Sequence, residues 1–322
     1  MPDASVTFVI PHKGREEFFR MTLQSIARQK STVPFDVTVV SQNQRLSSAT
    51  IDVLDSRILN VLYEDPSETI STLRNRGAQT SESTHLAFLD ADIELSQNWL
   101  QALFNLLKEM PEAALVSAAQ RHTINATELE KIRTTLSNAH VDSPAAFLPG
   151  RNLLLKRSVF EDVGGFPEKL ITCEDYWFTA SAGELGLLWY SSEASYVHLG
   201  EDKHLPDLFS KEVWRGQSNL QSLRGRRVPK SEWPSFFVPP GICICFGLAV
   251  VMLMAAQPAL AGLFVSAALL PLGAYVIRLY LLGKSSLRFS SVVAFYLVYF
   301  PARALGTLLG LFRSLGSKLH DQ

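Results

Sequence analysis

The chain has 322 residues, 47% of them hydrophobic and 19% charged, with 30 Lys and Arg against 31 Asp and Glu. A formal net charge of −1 argues against a nucleic-acid partner, and three cysteines are too few for a disulfide framework, which fits a reducing compartment. The average hides a split: residues 236–322 hold six basic residues and one acid, leaving 24 basic and 30 acidic residues in 1–235, so the front is −6 and the tail +5.

The front reads as strands alternating with helices. "SVTFVIP" (5–11) is a β-branched run and a strand by composition. Phe19, Leu23 and Ile26 recur at i, i+4 and i+7 and predict an amphipathic helix over 15–29. "FDVTVVS" (35–41) and "RILNVLYE" (57–64) are the next two strands, and "PSETISTLRNRGAQT" follows as a helix. The strand 84–90 comes next; Ser96 then caps a helix whose Leu100, Leu103, Phe104 and Leu107 form one apolar face. "AALVSAA" (113–119) is a further strand, and Gly164 and Gly165 end a short helix begun near Lys156. This alternation implies a mainly parallel sheet covered on both faces, with ligands beyond the carboxyl ends of its strands.

Two acid pairs stand out. The apolar strand "THLAFLDADIEL" (84–95) ends in Asp90 and Asp92. In an extended chain side chains two apart share a side, so both carboxylates face one spot and repel or share a cation. The alternative is a pair of ordinary loop acids ahead of the next helix. About 80 residues on, Glu174 and Asp175 open the helix containing "YWFTASAGEL", where the helix dipole alone favours acids.

From Trp233 to Ile277 runs a stretch of 45 residues with no Asp, Glu, Lys or Arg. About 20 apolar residues span a bilayer as a helix, so this length fits two spans, broken near "AAQPA" (255–259). A third apolar stretch, 289–312, contains only Arg303. It is expected to span as well, unless Pro301 breaks it and leaves 302–318 along the interface. The expected helices are 237–256, 259–282 and 289–312. The Pro-rich 228–240 is the junction between a domain over 1–227 and a membrane region over 241–316. No basic region precedes the short apolar run at the N-terminus, so no leader is read there and the front domain is expected in the cytoplasm. The basic clusters at 224–230 and at Arg278, Lys284 and Arg288 agree with that side under the positive-inside rule.

Five motifs now stand in one order: "FVIPHKGREEFFRMTLQSIARQ", "VTVVSQNQ", "LRNRGAQTSESTHLAFLDADIEL", "GRNLLLKRSVFEDVGGFPEKLITCEDYWF" and "YVHLGE". Together, over about residues 5–220, they resemble a family 2 glycosyltransferase of the GT-A fold, in the layout of bacterial inner-membrane enzymes with a few C-terminal spans. The resemblance implies a Rossmann-like mixed α/β sheet followed by transmembrane helices. It also implies a metal-dependent, inverting hexosyl-type transferase that moves one sugar from a nucleotide-diphosphate donor to a hydroxyl of a lipid-linked glycan acceptor at the membrane lipid surface, in cell-surface or exported polysaccharide synthesis. The Gln-x-x-Arg-Trp element of processive synthases is absent, which favours single-sugar transfer.

By the same resemblance, Asp92 and Asp90, with His198, hold Mg²⁺ or Mn²⁺ on the diphosphate, and Asp175 of the Glu174–Asp175 pair is the general base. Pro11, Arg15, Ser41, Gln42, Arg74 or Arg76, Asp90 and Ala91 contact the nucleotide sugar. Trp214, Arg215 and Asn152 are candidate acceptor or diphosphate contacts. On their residues alone, His198 is as well read as a strand-end histidine bonded to backbone, and Trp214 and Arg215 as part of a surface helix on the membrane. One departure is plain: relatives usually end the second strand in acids that hold base and ribose, whereas Ser41, Gln42 and Asn43 stand here. It leaves the donor's identity open, and it motivates the alternative of a membrane-tethered, catalytically impaired nucleotide-sugar-binding subunit.

Overall fold

The structure is a computed structural model that describes residues 4–218, 220, 223, 228, 230–284 and 286–320. Most of the basic segment 224–230 lies outside the described residues, as do the side chains of Arg313 and Lys318. In chain order the elements are β1 (Val6–His12), α1 (Glu16–Ala27), β2 (Phe35–Ser41), α2 (Ser48–Ile51), β3 (Leu59–Tyr63), α3 (Ile70–Gln79), β4 (His85–Leu89), β5 (Ile93–Leu95), α4 (Trp99–Glu109), β6 (Ala113–Arg121) and α5 (Glu128–Ser137). They continue with β7 (Ser143–Pro144), β8 (Asn152–Lys156), α6 (Arg157–Val163), α7 (Glu174–Leu185), β9 (Leu187–His198), α8 (Leu205–Gly216), α9 (Trp233–Met254), α10 (Pro258–Leu282) and α11 (Phe289–His320).

The chain forms two compact units, the first from 1–123 and 140–200, the second from 124–139 and 201–322. The first is built on one mixed sheet of order β3-β2-β1-β4-β8-β6-β9-β5, with β7 paired to β9. β3, β2, β1 and β4 run parallel, as the alternation predicts. β8 then enters antiparallel between β4 and β6, which restores the original direction for β6 and β9. The sheet is therefore mixed, not mainly parallel. All seven residues of β1 are buried, as expected for a strand covered on both faces.

Two apolar layers result. Phe19, Leu23 and Ile26 of α1 pack with Leu100, Leu103, Phe104 and Leu107 of α4 on one side. Phe88, Phe160, Phe166 and Phe178 form an aromatic cluster on the other, with Phe166 and Phe178 stacked at 4.0 Å. Helix ends follow local chemistry. The Thr69 hydroxyl accepts from Thr72 N and starts α3 at Ile70. Gly164 closes α6 in the left-handed region at φ 82°. Helix α4 starts at Trp99, later than Ser96 predicted, because the Ser96 hydroxyl instead donates to Asn98 Oδ1 at 2.8 Å.

In the second unit α5 begins with a reciprocal capping box between Thr127 and Glu130. Among the described residues three helices are long and apolar enough to cross a membrane by length and composition: Trp233–Met254, Pro258–Leu282 and Phe289–Phe312. α11 runs on through Pro301 without a break. The apolar core of this unit joins Leu129 and Ile132 of α5, Leu208 of α8, Leu272 and Val276 of α10, and Phe295, Tyr296 and Phe300 of α11. Buried beside it, Glu212 of α8 pairs with Arg133 of α5 (3.3 Å), Arg215 of α8 (2.5 Å) and Arg303 of α11 (2.9 Å). Burial would raise the Glu212 pKa, but the three guanidiniums outweigh it and hold the carboxyl below its ordinary value.

Candidate functional site

The carboxyl edge of the sheet collects the ends of β1, β2, β4 and β9, and with them His12, Ser41, Asp90 and His198. Asp90 and Asp92 do not share one spot as an extended chain would have it. β4 ends at Leu89 and the chain turns through 90–92 before β5, so each acid meets its own partners.

Asp92 is 9% exposed. Its Oδ2 accepts from Arg15 Nη2 at 2.6 Å and its Oδ1 lies 3.4 Å from His198 Nε2. Arg151 Nη1 approaches the other ring nitrogen of His198 at 3.3 Å. Burial pushes the Asp92 pKa up. The hydrogen bond and charge of His198, with Arg15 and Arg151, push it down further, and the carboxyl ends below its ordinary value. A Cβ at Gly200 would overlap Asp92 Oδ2, so the backbone there closes one side of the carboxylate.

Asp90 turns the other way, to Arg74 of α3. Arg74 is 2% exposed. Its Nη2 donates to Asp90 Oδ1 (2.9 Å) and Gly150 O (3.3 Å), its Nη1 donates to Glu174 Oε1 (2.9 Å), and its guanidinium lies 5.0 Å from the Phe166 ring centre. Burial opposes its charge, but Asp90, Glu174 and Asp175 outweigh burial and hold the guanidinium protonated. A guanidinium so enclosed has little surface left for a phosphate. Arg76 faces elsewhere and pairs with Glu64 at 2.7 Å.

The second acid pair splits as well. Glu174 is 9% exposed, and burial together with the Asp175 charge pushes its pKa up to about 7 against the pull of Arg74. Asp175 is half-buried; its Oδ2 accepts from Gly150 N at 3.1 Å and its Oδ1 from Tyr176 N at 2.8 Å. Of the two, Asp175 is the carboxylate nearer solvent.

The remaining candidates separate into lining and scaffold. Pro11 is buried in β1. The Ser41 hydroxyl bonds His12 Nδ1 at 3.0 Å, and Gln42 Nε2 donates to the carbonyls of Asp65 (2.8 Å) and Glu68 (2.9 Å). Gln42 thus spends its amide hydrogens on the 65–68 loop. Ala91 sits in the turn between the two acids. Asn152 is fully buried, its Oδ1 accepting from Trp99 Nε1 (3.1 Å) and Ala118 N (2.8 Å); it ties β8 to β6 and α4 and has no surface for an acceptor. Trp214, half exposed, and Arg215, paired with Glu212, belong to α8 in the second unit. The sequence reading missed His12, which is 2% exposed and stacked on Phe19 at 4.4 Å, and also Arg151, Gly150 and Gly200. All four stand inside the quoted motifs, but neither residue type nor spacing set them apart from their neighbours.

The donor set around Asp92 fits a hard divalent cation. A carboxylate and an imidazole meet at one point, with a guanidinium already compensating the negative charge. Among the described residues no three His, Cys, Asp or Glu gather. Mg²⁺ is commonly held by one or two carboxylates with the rest of its shell from phosphate and water, which this set allows.

Comparisons with known proteins agree with this architecture. Residues 7–164 match the profile of Glycosyl transferase family 2. The chain is 26% identical over 235 residues to Glycosyltransferase AglE of Haloferax volcanii, covering 67% of this chain and 73% of that protein. It is 23% identical over 192 residues to the pre-mycofactocin glycosyltransferase of Mycobacterium tuberculosis, covering 55% of this chain and 39% of that protein. Among solved structures, the mannosyltransferase PcManGT from Pyrobaculum calidifontis, in complex with GDP-Man and Mn²⁺, superposes with a TM-score of 0.61 over 94% of this chain and 86% of that one, at 16% identity. With two acid pairs at the carboxyl edge of a mixed sheet, the chain matches Glycosyl transferase family 2 over residues 7–164 and has a GT-A-like mixed α/β fold, followed among the described residues by three long apolar helices.

Proposed function

We propose that the protein transfers one sugar from a nucleotide-diphosphate sugar to a hydroxyl of a lipid-linked glycan acceptor, with inversion, at the cytoplasmic face of the inner membrane. The observation that carries this reading is the meeting of both acid pairs on Arg74, which puts Asp90 and Glu174 on one guanidinium. Donor-side and acceptor-side chemistry then share one small region of the sheet edge. The three apolar helices supply the membrane association that a lipid-linked acceptor requires.

In this reading Asp175 accepts the proton of the acceptor hydroxyl. The hydroxyl oxygen forms the new bond to the anomeric carbon as the bond from that carbon to the diphosphate breaks. Attack from the face opposite the leaving group inverts the centre. The two backbone N–H groups on the Asp175 carboxylate, from Gly150 and Tyr176, orient it for the incoming proton. Asp92 and His198, with Asp90 nearby in the chain, would hold Mg²⁺ or Mn²⁺, as PcManGT is described with Mn²⁺ and GDP-Man. Such an ion supplies Lewis-acid stabilisation of the departing diphosphate. Arg15, at 59% side-chain exposure, is free to follow the negative charge of an arriving diphosphate.

The test is release of nucleoside diphosphate from a panel of nucleotide sugars by membranes carrying wild type, Asp92→Asn or Asp175→Asn. Wild type should turn over at least one donor, and each substitution should cut the rate on the order of 100-fold or more. Undiminished turnover in both variants refutes the residue assignment. No turnover of any donor by wild type favours a binding subunit.

A further inference from the structure

We infer that Arg74 is a positioning residue: through its fork to Asp90 and Glu174, and with the Gly150 peptide as spacer, it fixes Asp175 relative to the donor-side acid. This rests on the reading of Asp175 as the base. Three observations converge on it. The guanidinium is almost fully buried and donates to one acid from each pair, so the distance between the 90–92 turn and the start of α7 is set by one rigid plane.

The Gly150 peptide works from both ends of the same arrangement, its carbonyl accepting from Arg74 Nη2 and its N–H donating to Asp175 Oδ2. There is also no room for a side chain in the spacer. A Cβ on Gly150 would stand 2.9 Å from Asp175 Cβ and 3.1 Å from Arg74 Nη2. The base is thus held against the arginine through a bare peptide, and the arginine is held by the donor-side acid. A change at Asp90 reaches Asp175, or the reverse, through two residues, Arg74 and Gly150.

A residue that only stabilises the fold would lower the amount of active protein and leave the kinetic constants of the surviving fraction alone. A residue that positions the base lowers kcat while the donor still binds. Arg74→Lys keeps the charge but cannot fork to both acids. Gly150→Ala keeps every polar group and pushes the arginine and the base apart. In the full-length protein, with GDP-mannose and UDP-glucose as probes and diphosphate release as signal, both variants should lose about 10–100-fold in kcat. Their donor KM should stay within about threefold of wild type.

Thermal midpoints of Arg74→Lys combined with Asp90→Asn and with Glu174→Gln supply a readout that needs no turnover. The arginine should couple to both acids, so each double variant is less perturbed than the sum of its singles. Wild-type kcat in both Arg74→Lys and Gly150→Ala, or a loss confined to KM, overturns the inference. So does additivity of the midpoints at either acid. If wild type releases no diphosphate from any donor, the enzymatic reading fails by itself, and the midpoints still decide whether Arg74 ties the two acids together.

Discussion

Glu174 makes stability depend on pH in a way that can be worked out from its surroundings. In the unfolded chain a glutamate loses its proton near 4.5, whereas in the fold burial and the Asp175 charge keep it to about 7. Between those values the folded protein binds one proton more than the unfolded one, so stability falls as pH rises through the window and levels off above it. At about 1.4 kcal/mol per pH unit the total loss is about 3 kcal/mol. Glu174→Gln stays neutral throughout and presents a similar shape to Arg74. The stability of the variant relative to wild type should therefore grow by about 3 kcal/mol between pH 4 and pH 8, or roughly 6–12 °C in midpoint for a domain of this size. The assay is the thermal midpoint of the two purified proteins across that range in one detergent, taking their difference so that every other titration cancels. A difference that stays flat, or that moves in favour of wild type as pH rises, refutes the account of Glu174 as a carboxyl held neutral by burial.

Three further outcomes follow from individual contacts. Glu212→Ala leaves Arg133, Arg215 and Arg303 without their common carboxylate, and thermal or denaturant unfolding should record a loss of about 3–5 kcal/mol. Asn75→Ala removes the acceptor of Phe166 N (2.8 Å) and the donor to Phe166 O (2.9 Å), both buried, and should cost about 1–3 kcal/mol in the same measurement. Under the proposed function, Gly200→Ala displaces the Asp92 carboxylate, and calorimetric binding of the nucleoside diphosphate of whichever donor wild type turns over should weaken about 10–100-fold relative to wild type.

Much of the first unit is written in its sequence because parallel strands must be apolar along their whole length. β1, β2, β4 and β6 are such runs, and each is buried along most of its length. β8 and β9 were not legible. β8 is five residues inserted antiparallel, with no turn signal tying it to β4, its neighbour. β9 is interrupted by "SSEAS", where its register against β6 shifts between Ala118 and Ala119. α5 offers only Leu129 and Ile132 as buried apolar residues, too few for a period. In the site, the acid pairs are visible because adjacent carboxylates are costly and ask for a reason. Their separation into different partners was not visible, since it depends on a turn at Asp90 that composition does not encode. The choice between Arg74 and Arg76 was equally hidden. Two residues along a helix rotate about 200°, so one points into the acids and the other out to Glu64, but only the packing of α3 on the sheet says which.

The interruption of the first unit by α5 has a consequence for how the protein is made. Residues 124–139 leave the ribosome in the middle of the first unit, yet their partners come much later. The Glu128 carboxylate accepts from Arg288 N, 160 positions further on, an interval of roughly 10–30 s at about 5–20 residues per second. For that time Leu129 and Ile132 have no finished core to enter. A newborn chain therefore completes its sheet around a helix still waiting for its place, and a chaperone that binds short apolar segments would find α5 exposed until the last helix arrives.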